Sequence, residues 1–145
     1  MTKDEWNEAE SLCRAGLKAK LICDDFKVTL EERRIKNKIV IAIFVNGFMK
    51  GAWFTYEGTL ADRIAANPEM KFYPIKVRFS YCKYTRDWAK NLKGKSKAEN
   101  KHILTEKSYF PRATATSFAQ IKKHLIKVCE SIELAEPFEF NNNQQ

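Results

Sequence analysis

Residues 39–47 read Ile-Val-Ile-Ala-Ile-Phe-Val-Asn-Gly and combine the pattern of a buried strand with that of a tight turn. The unbroken apolar run from Ile39 to Val45 is rich in β-branched residues, which favours a strand covered on both faces. Asn46-Gly47 follows directly, and this dipeptide favours the positive φ angles of a type I′ turn. The pattern predicts a hairpin whose second strand spans Phe48–Tyr56.

Two further strands are predicted on the N-terminal side of this hairpin. Lys20–Asp24 is short and apolar at its centre, and Asp24-Asp25 is typical of a tight turn. Lys27–Ile35 begins with alternating polar and apolar side chains, as a half-exposed strand does. Asn37 supplies the next turn, so the four strands are predicted to form an antiparallel meander.

Helices are predicted on both sides of the meander. Thr2 and Glu5 have the spacing of a capping box, and the helix that they begin is predicted to end at Gly16. On the C-terminal side, the pattern predicts helices at Leu60–Ala66 and Thr85–Leu92.

The remainder of the C-terminal half contains three more elements. Ile75–Tyr81 alternates apolar and polar residues and is predicted to be a fifth strand or an extended arm. Lys93–Lys101 has no apolar anchor and is predicted to be a flexible basic loop. Ser117, with Gln120 at the reciprocal position, caps a last helix that has one apolar face.

The predicted fold class is therefore α+β. It consists of an N-terminal helix, a four-stranded antiparallel meander and a helical, basic C-terminal half that ends in an amphipathic helix. A length of 145 residues and a hydrophobic content of 44% fit one folded domain, which we predict to span residues 1–136. The polar tail at residues 137–145 is predicted to be disordered.

Positive charge is concentrated in the C-terminal half. Between Lys71 and Lys127 the sequence contains fifteen Lys or Arg against three Asp or Glu, a net charge of +12, whereas the rest of the chain carries −4. This asymmetry predicts a surface for a polyanion or an acidic protein, with a merely solvated lysine-rich face as the alternative.

Aromatic residues are interleaved with these cations, as in Tyr81-Cys82-Lys83-Tyr84. Lys and Arg neutralise phosphates while aromatic rings stack on unpaired bases, and the same residue types form hot spots in protein interfaces. Phe79, Trp88 and Phe110 are predicted to be core, and Tyr81 and Tyr84 to be exposed. The predicted partner-binding residues are Arg78, Lys83, Tyr84, Arg86, Lys90, Lys93, Lys95, Lys97, Lys122, Lys123 and Lys127.

No catalytic, metal-binding or cofactor-binding motif is recognisable, so neither enzyme activity nor a cofactor is predicted. His102 and His124 do not have the spacing of metal ligands, and a surface or capping role is predicted for His124. A metal-dependent nuclease remains an alternative because acidic pairs occur at Asp24-Asp25 and Glu31-Glu32. Neighbouring residues of a strand point to opposite faces, however, which disfavours a shared ion at Glu31-Glu32.

The cysteines and the N-terminus indicate a reducing compartment. Four cysteines occur without a Cys-x-x-Cys pair, which predicts structural thiols and not a metal site or a disulfide framework. The chain starts Met-Thr-Lys-Asp-Glu-Trp, and its longest apolar run is Ile39–Val45. These features predict neither a signal peptide nor a membrane span, and thus a cytoplasmic protein without a membrane partner.

Short motifs along the chain are similar to those of a family of small uncharacterised proteins from tailed phages and prophages. The motifs are Trp6 with Glu8-Ala9, Leu12 and Ala15-Gly16, then Val45-Asn46-Gly47 with Lys50-Gly51, then Thr116-Ser117-Phe118 with His124-Leu125. The resemblance implies an accessory protein that binds a host machine, and antagonists of host defence such as anti-CRISPR proteins are one such class. A net charge of +8 departs from the acidic surfaces with which many antagonists mimic DNA.

The leading hypothesis is a non-enzymatic phage accessory protein that binds and inhibits a host protein or ribonucleoprotein through its basic, aromatic-rich surface. The second hypothesis is a DNA- or RNA-binding protein with little sequence preference, and the third is the nuclease. A homodimer through an exposed edge strand, at Lys20–Asp24 or Ile75–Tyr81, is a further alternative.

Overall fold

A computed structural model describes residues 1–54 and 59–135 of the chain. The chain forms two compact units: unit 1 joins Met1–Pro74 to the chain from Pro111 onward, and unit 2 is Ile75–Phe110. The described residues contain six α-helices and antiparallel sheets, which confirms the α+β class. The single domain predicted over residues 1–136 stays a prediction, and the tail predicted at residues 137–145 lies outside the described residues.

The first helix of unit 1, α1 (Lys3–Arg14), has the predicted capping box. The Thr2 hydroxyl accepts a hydrogen bond from the backbone N–H of Glu5, and the Glu5 carboxylate accepts one from the N–H of Thr2. The second bond lowers the pKa of Glu5, because it favours the charged carboxylate. Gly16 has a φ of 78° and ends the helix, as predicted.

Five antiparallel strands form the sheet of unit 1, and their bounds are β1 (Lys18–Cys23), β2 (Phe26–Ile35), β3 (Lys38–Val45), β6 (Thr114–Ala115) and β7 (Ile132–Leu134). They lie side by side in the order β6-β3-β2-β1-β7. Two-residue turns with positive φ join the first three strands, at Asp24-Asp25 and Lys36-Asn37. Both turns were predicted from the sequence.

The fourth meander strand predicted at Phe48–Tyr56 is wrong. The Asn46-Gly47 turn forms, with φ angles of 52° and 83°, but the pairing stops after a single bridge. Residues Gly51–Phe54 instead form a 3₁₀-helix that buries Trp53. Burial of so large a ring favours the 3₁₀-helix, and β6 occupies the place beside β3.

A hydrophobic core covers one face of this sheet. It is built from α1, from the last long helix α6 (Phe118–Val128) and from the 3₁₀-helix at Pro68–Phe72. The rings of Trp6 and Phe118 meet edge to face at 6.3 Å. The buried Tyr73 hydroxyl donates a hydrogen bond of 2.8 Å to the carbonyl oxygen of Ile43. The helix α2 (Leu60–Ala66), capped by the Thr59 hydroxyl, has the predicted bounds.

The start of α6 also agrees with its sequence pattern. The Ser117 hydroxyl accepts a hydrogen bond of 3.1 Å from the N–H of Gln120, as predicted. The Gln120 side chain turns back one residue further, and its Oε1 accepts hydrogen bonds from the N–H and the hydroxyl of Thr116. The helix therefore begins with two side-chain caps in place of a reciprocal pair.

The C-terminal half does not end in an amphipathic helix, because the chain continues from α6 into β7. Asp24 holds this connection: its carboxylate accepts hydrogen bonds from the backbone N–H groups of Glu130 and Ser131 and from Lys71 Nζ at 2.9 Å. The strand β7 then pairs with β1. The strand predicted as a dimer edge at Lys20–Asp24 is consequently an inner strand, since β1 lies between β2 and β7.

Unit 2 combines a two-stranded sheet with three short helices. The strands are β4 (Ile75–Phe79) and β5 (Lys107–Pro111), and the helices are α3 (Lys83–Lys90), α4 (Gly94–Glu99) and α5 (Lys101–Thr105). The flexible loop predicted at residues 93–101 is wrong, because α4 is helical. Lys, Ala and Glu are good helix formers, and the Asn100 amide donates a hydrogen bond of 2.8 Å to the carbonyl of Ser96 at the end of α4.

Candidate functional site

Unit 2 carries nearly the whole net charge of the protein. It contains ten Lys or Arg and three Asp or Glu, a net charge of +7, whereas the protein as a whole has +8. The other sixteen basic residues and fifteen acidic residues almost cancel. The sequence predicted a basic region between Lys71 and Lys127. In the structure, most of the net charge lies within a compact unit of 36 residues.

Eight of the eleven predicted partner-binding residues lie in unit 2. These are Arg78, Lys83, Tyr84, Arg86, Lys90, Lys93, Lys95 and Lys97. All of them are exposed except Arg86, which is half-buried. Among the described residues, only Lys95 of this group has a carboxylate within salt-bridge distance, that of Glu99 at 3.9 Å. Such an exposed pair contributes little, so the positive field of unit 2 is largely uncompensated.

The other three predicted residues lie on α6 in unit 1. Lys123 and Lys127 are exposed, but Lys122 is half-buried, with its Nζ 5.7 Å from the centre of the Trp6 ring. A cation over an indole face is held by the ring quadrupole, and its stem covers apolar surface. Lys122 therefore contributes to packing in unit 1, a role that the sequence pattern did not predict.

Aromatic residues of unit 2 are more exposed than predicted. Phe79 and Trp88 were predicted to be core, yet 45% and 52% of their surface is accessible, while Phe110 is half-buried. Tyr84 is 85% exposed, which confirms its prediction, and Tyr109, for which no exposure was predicted, is 55% exposed. Two hydrophobic residues of unit 2 are buried in the described ranges, Ala89 and Ile103. A core of this size cannot enclose these rings.

Tyr81 differs from the exposed tyrosines, and its predicted exposure is wrong. It is half-buried, and its ring meets that of His102 edge to face at 5.8 Å. Packing against a histidine of α5 gives Tyr81 a structural contact within unit 2.

Cations lie directly over several of these rings. The Arg86 guanidinium carbon is 4.0 Å from the centre of the Phe79 ring, and Lys107 Nζ is 5.6 Å from the same centre. Arg78 lies 5.1 Å above Phe110. Arg86 Nε is buried and has no hydrogen-bond partner within the described part of the chain, so the stack on Phe79 is what holds this guanidinium. Positive charge and aromatic surface are thus interleaved in space as well as in sequence.

The pairing of β4 with β5 determines which side chains share a face. The N–H of Ser80 donates to the carbonyl of Glu106, and the hydroxyls of Ser80 and Ser108 are 2.8 Å apart. Arg78, which precedes Ser80 on β4, contacts Phe110, which follows Ser108 on β5. The two strands therefore run antiparallel. Side chains alternate along each strand, which places residues 77, 79, 107 and 109 on one face and residues 78, 80, 108 and 110 on the other.

Of the two acidic pairs that suggested a nuclease, one has side chains that point apart and the other contains a carboxylate that is hydrogen-bonded within unit 1. Glu31 and Glu32 pair across the sheet with Ala42 and Ile41, so they point to opposite faces as predicted. The hydrogen bond from Lys71, together with those from Ser131 and Glu130, lowers the pKa of Asp24. Within residues 1–54 and 59–135, no group of three His, Cys, Asp or Glu side chains is placed to hold a metal ion.

Packing in unit 1 explains the shifted pKa values of one histidine and two cysteines. His124 Nε2 lies 2.8 Å from the carbonyl oxygen of Lys71, and burial lowers the pKa of this imidazole. Burial raises the pKa of Cys13 to about 11, and its thiol donates to the carbonyl of Leu30. A hydrogen bond shared with Cys129, together with burial, raises the pKa of Cys23.

One cysteine does not fit the prediction of structural thiols. Cys82 is exposed in unit 2, at the start of α3. Hydrogen bonds with the Thr85 hydroxyl, at 3.3 Å, and with the Thr85 N–H lower the pKa of the Cys82 thiol.

Comparison of the chain with protein-family models, with curated proteins and with solved structures finds no significant match. The resemblance to tailed-phage accessory proteins accordingly stays a prediction. Within the described ranges, no helix has the length and apolar character needed to cross a membrane.

Proposed function

We propose that this protein acts by binding nucleic acid, free or within a ribonucleoprotein, and that unit 2 contacts the phosphate backbone with little sequence preference. One observation supports this proposal above the others: a unit of 36 residues carries a charge of +7 on exposed side chains that few carboxylates neutralise. Phosphates along a strand present the complementary line of negative charge.

The distribution of the cations fits a backbone ligand better than a single small anion. The exposed lysines occur on α3, on α4 and in the segment that joins them, for example at Lys83, Lys90, Lys93 and Lys97. Lysines on long, mobile stems neutralise successive phosphates without fixed geometry. Each phosphate neutralised adds to the salt dependence of binding, because condensed counterions are released.

The test is fluorescence anisotropy with labelled DNA and RNA, single- and double-stranded, at about 50 mM and about 200 mM salt. A Lys93/Lys95/Lys97→Glu variant removes three exposed cations from unit 2. The matched control is Lys3/Lys36/Lys38→Glu, which makes the same change of charge at exposed positions of unit 1. We expect the wild type to lose affinity on the order of tenfold or more over this range of salt.

The variant and its control separate local from general electrostatics. The unit 2 variant is expected to abolish binding at moderate salt, whereas the unit 1 control keeps most of it. If both variants lose affinity equally, the net charge of the protein and not unit 2 governs binding. If no nucleic acid binds at either salt concentration, the proposal is wrong.

A host-defence antagonist that binds a host protein is the second candidate, and it was the leading hypothesis from the sequence. It is favoured by the exposed Tyr84 and Trp88 of α3, the helix that also carries Arg86, because Tyr, Trp and Arg dominate protein-binding hot spots. Binding to an apolar protein surface would weaken far less with salt than binding to phosphate. A tagged pull-down from host cells, washed at high salt, would retain such a partner and lose nucleic acid.

A further inference from the structure

Exposed aromatic rings are concentrated in unit 2. In the described part of the chain, five aromatic residues have large exposed surfaces, and four of them belong to unit 2 although it contains about a quarter of the residues: Phe79, Tyr84, Trp88 and Tyr109. The fifth, Phe48, lies in unit 1. Single exposed rings need no explanation, but four within one small cationic unit do.

These four rings form two exposed sets. Phe79 and Tyr109 share one face of the β4–β5 ribbon with Val77, which is 47% exposed, and Lys107 lies on the same face. Tyr84 and Trp88 are four residues apart on α3, and this spacing places them on one side of the helix. The first set therefore combines ring surface with a cation that lies over it, Lys107. The second set lies on a helix that carries three Lys or Arg among its eight residues, Lys83, Arg86 and Lys90.

We propose that unit 2 is a site for single-stranded nucleic acid, in which unpaired bases stack on Tyr84, Trp88 and Tyr109 while the lysines and arginines, among them Arg86 stacked on Phe79, neutralise the phosphates. This inference rests on the proposed function and specifies its ligand. Aromatic stacking with a cationic groove is the general mode by which proteins bind single strands without sequence preference.

Duplex nucleic acid makes poor use of this surface. The faces of paired bases are stacked on one another, so only phosphates, sugars and base edges reach the protein. Four exposed rings would then stay in water, and binding would depend on the cations alone. A single strand offers both its charge and its ring faces, and thus matches both features of unit 2.

The experiment measures the affinity of the full-length protein for a labelled oligothymidine of about 15 nucleotides and for a duplex of the same length, at one salt concentration. Tyr84→Ala, Trp88→Ala and Tyr109→Ala are each expected to weaken single-strand binding by about 5- to 150-fold, the loss of one stacked base. Duplex binding by these variants is expected to stay within about twofold of wild type. Emission of the exposed Trp88 is expected to fall on binding, since Trp6 and Trp53 are buried.

The matched control is Phe48→Ala. Phe48 is 61% exposed and has Lys50 Nζ 5.8 Å from its ring centre, so it reproduces the local chemistry in unit 1. The proposal requires that this variant bind single strands as wild type does. Salt-sensitive binding with equal affinity for duplex and single strand, unaffected by the aromatic substitutions, would overturn the single-strand inference and leave the proposed function standing. Absence of salt-sensitive binding to any nucleic acid would overturn both, and an acidic protein would become the better partner.

Discussion

Unit 1 and unit 2 differ in where they put their large apolar side chains. Of the 22 buried hydrophobic residues in the described ranges, twenty belong to unit 1 and two, Ala89 and Ile103, belong to unit 2. Unit 1 covers a five-stranded sheet with two helices, whereas unit 2 keeps its rings at the surface among cations. The difference fits the proposal that unit 1 supplies the stability of the chain while unit 2 presents a surface for binding.

The largest expected effect tests this division through the core. Leu125 on α6 is fully buried, and Leu125→Ala is expected to lower the free energy of unfolding by about 2–5 kcal/mol, because it removes contacts and leaves a cavity. Trp88→Ala in unit 2 removes a larger side chain but is expected to cost less than about 1 kcal/mol. Denaturant unfolding followed by circular dichroism measures both.

The neighbouring Ile126 provides the control on the same helix, since it is 54% exposed. Ile126→Ala is expected to change stability by no more than about 0.5 kcal/mol. Should Trp88→Ala destabilise the protein as much as Leu125→Ala, unit 2 would have a core of its own that the burial pattern does not reveal.

The second prediction concerns the carboxylate that connects α6 to β7 in unit 1. The pKa of Asp24 is lowered in the folded protein, so its charged form contributes stability above the ordinary carboxyl pKa, and this contribution is lost as the pH falls through the lowered value. Asp24→Asn is expected to be less stable than wild type at neutral pH, and the difference is expected to close in acid. Thermal unfolding over a series of pH values measures it.

Asp25→Asn is the matched control for this pH series. Asp25 occupies the same turn with a φ of 69°, which asparagine tolerates, and among the described residues no hydrogen bond joins its side chain to β7. Its unfolding temperature should follow that of wild type at every pH. A constant difference between Asp24→Asn and wild type down to strongly acidic pH would show that the charge of Asp24 contributes nothing.

The third prediction concerns the reactivity of the cysteine thiols and not the stability of the protein. Alkylation of the native protein at about pH 8 is expected to modify the exposed Cys82 at least about tenfold faster than Cys13. The pKa of Cys82 is lowered by its hydrogen bonds with Thr85, whereas burial raises that of Cys13 to about 11. Mass spectrometry of peptides from timed samples gives the rates, and Cys82→Ser should abolish the fast phase. Equal rates in the native state would contradict the burial difference between the units.

Local chemistry made much of the fold predictable. The capping box at Thr2, the positive φ turns and the Ser117 cap each depend on residues close in sequence. The strand predicted after Asn46-Gly47 failed because its alternative, burial of Trp53 against distant parts of the core, leaves no local signal. The edge strands β6 and β7 were missed for the same reason: they are two and three residues long and are defined by their partners.

The sequence indicated the charge and the aromatic content of the candidate site, but not which of its side chains are exposed. Charge and aromatic content indicated the segment that contains unit 2, and Tyr84 was correctly predicted to be exposed. Phe79 and Trp88 were assigned to a core because large rings are usually buried, and the sequence does not reveal how little core unit 2 has. Lys122 was included by its charge alone, since its contact with Trp6 joins residues far apart in the chain.

The two edge strands of the sheet have a consequence for synthesis of the chain on the ribosome. The first three strands emerge early, but β6, α6 and β7 all lie beyond residue 113. Until these have been made, a three-stranded sheet exposes both open edges and its apolar face, the features that promote association between unfinished chains. We therefore expect the sheet to be protected from association only after residues beyond 113 have been added to the chain.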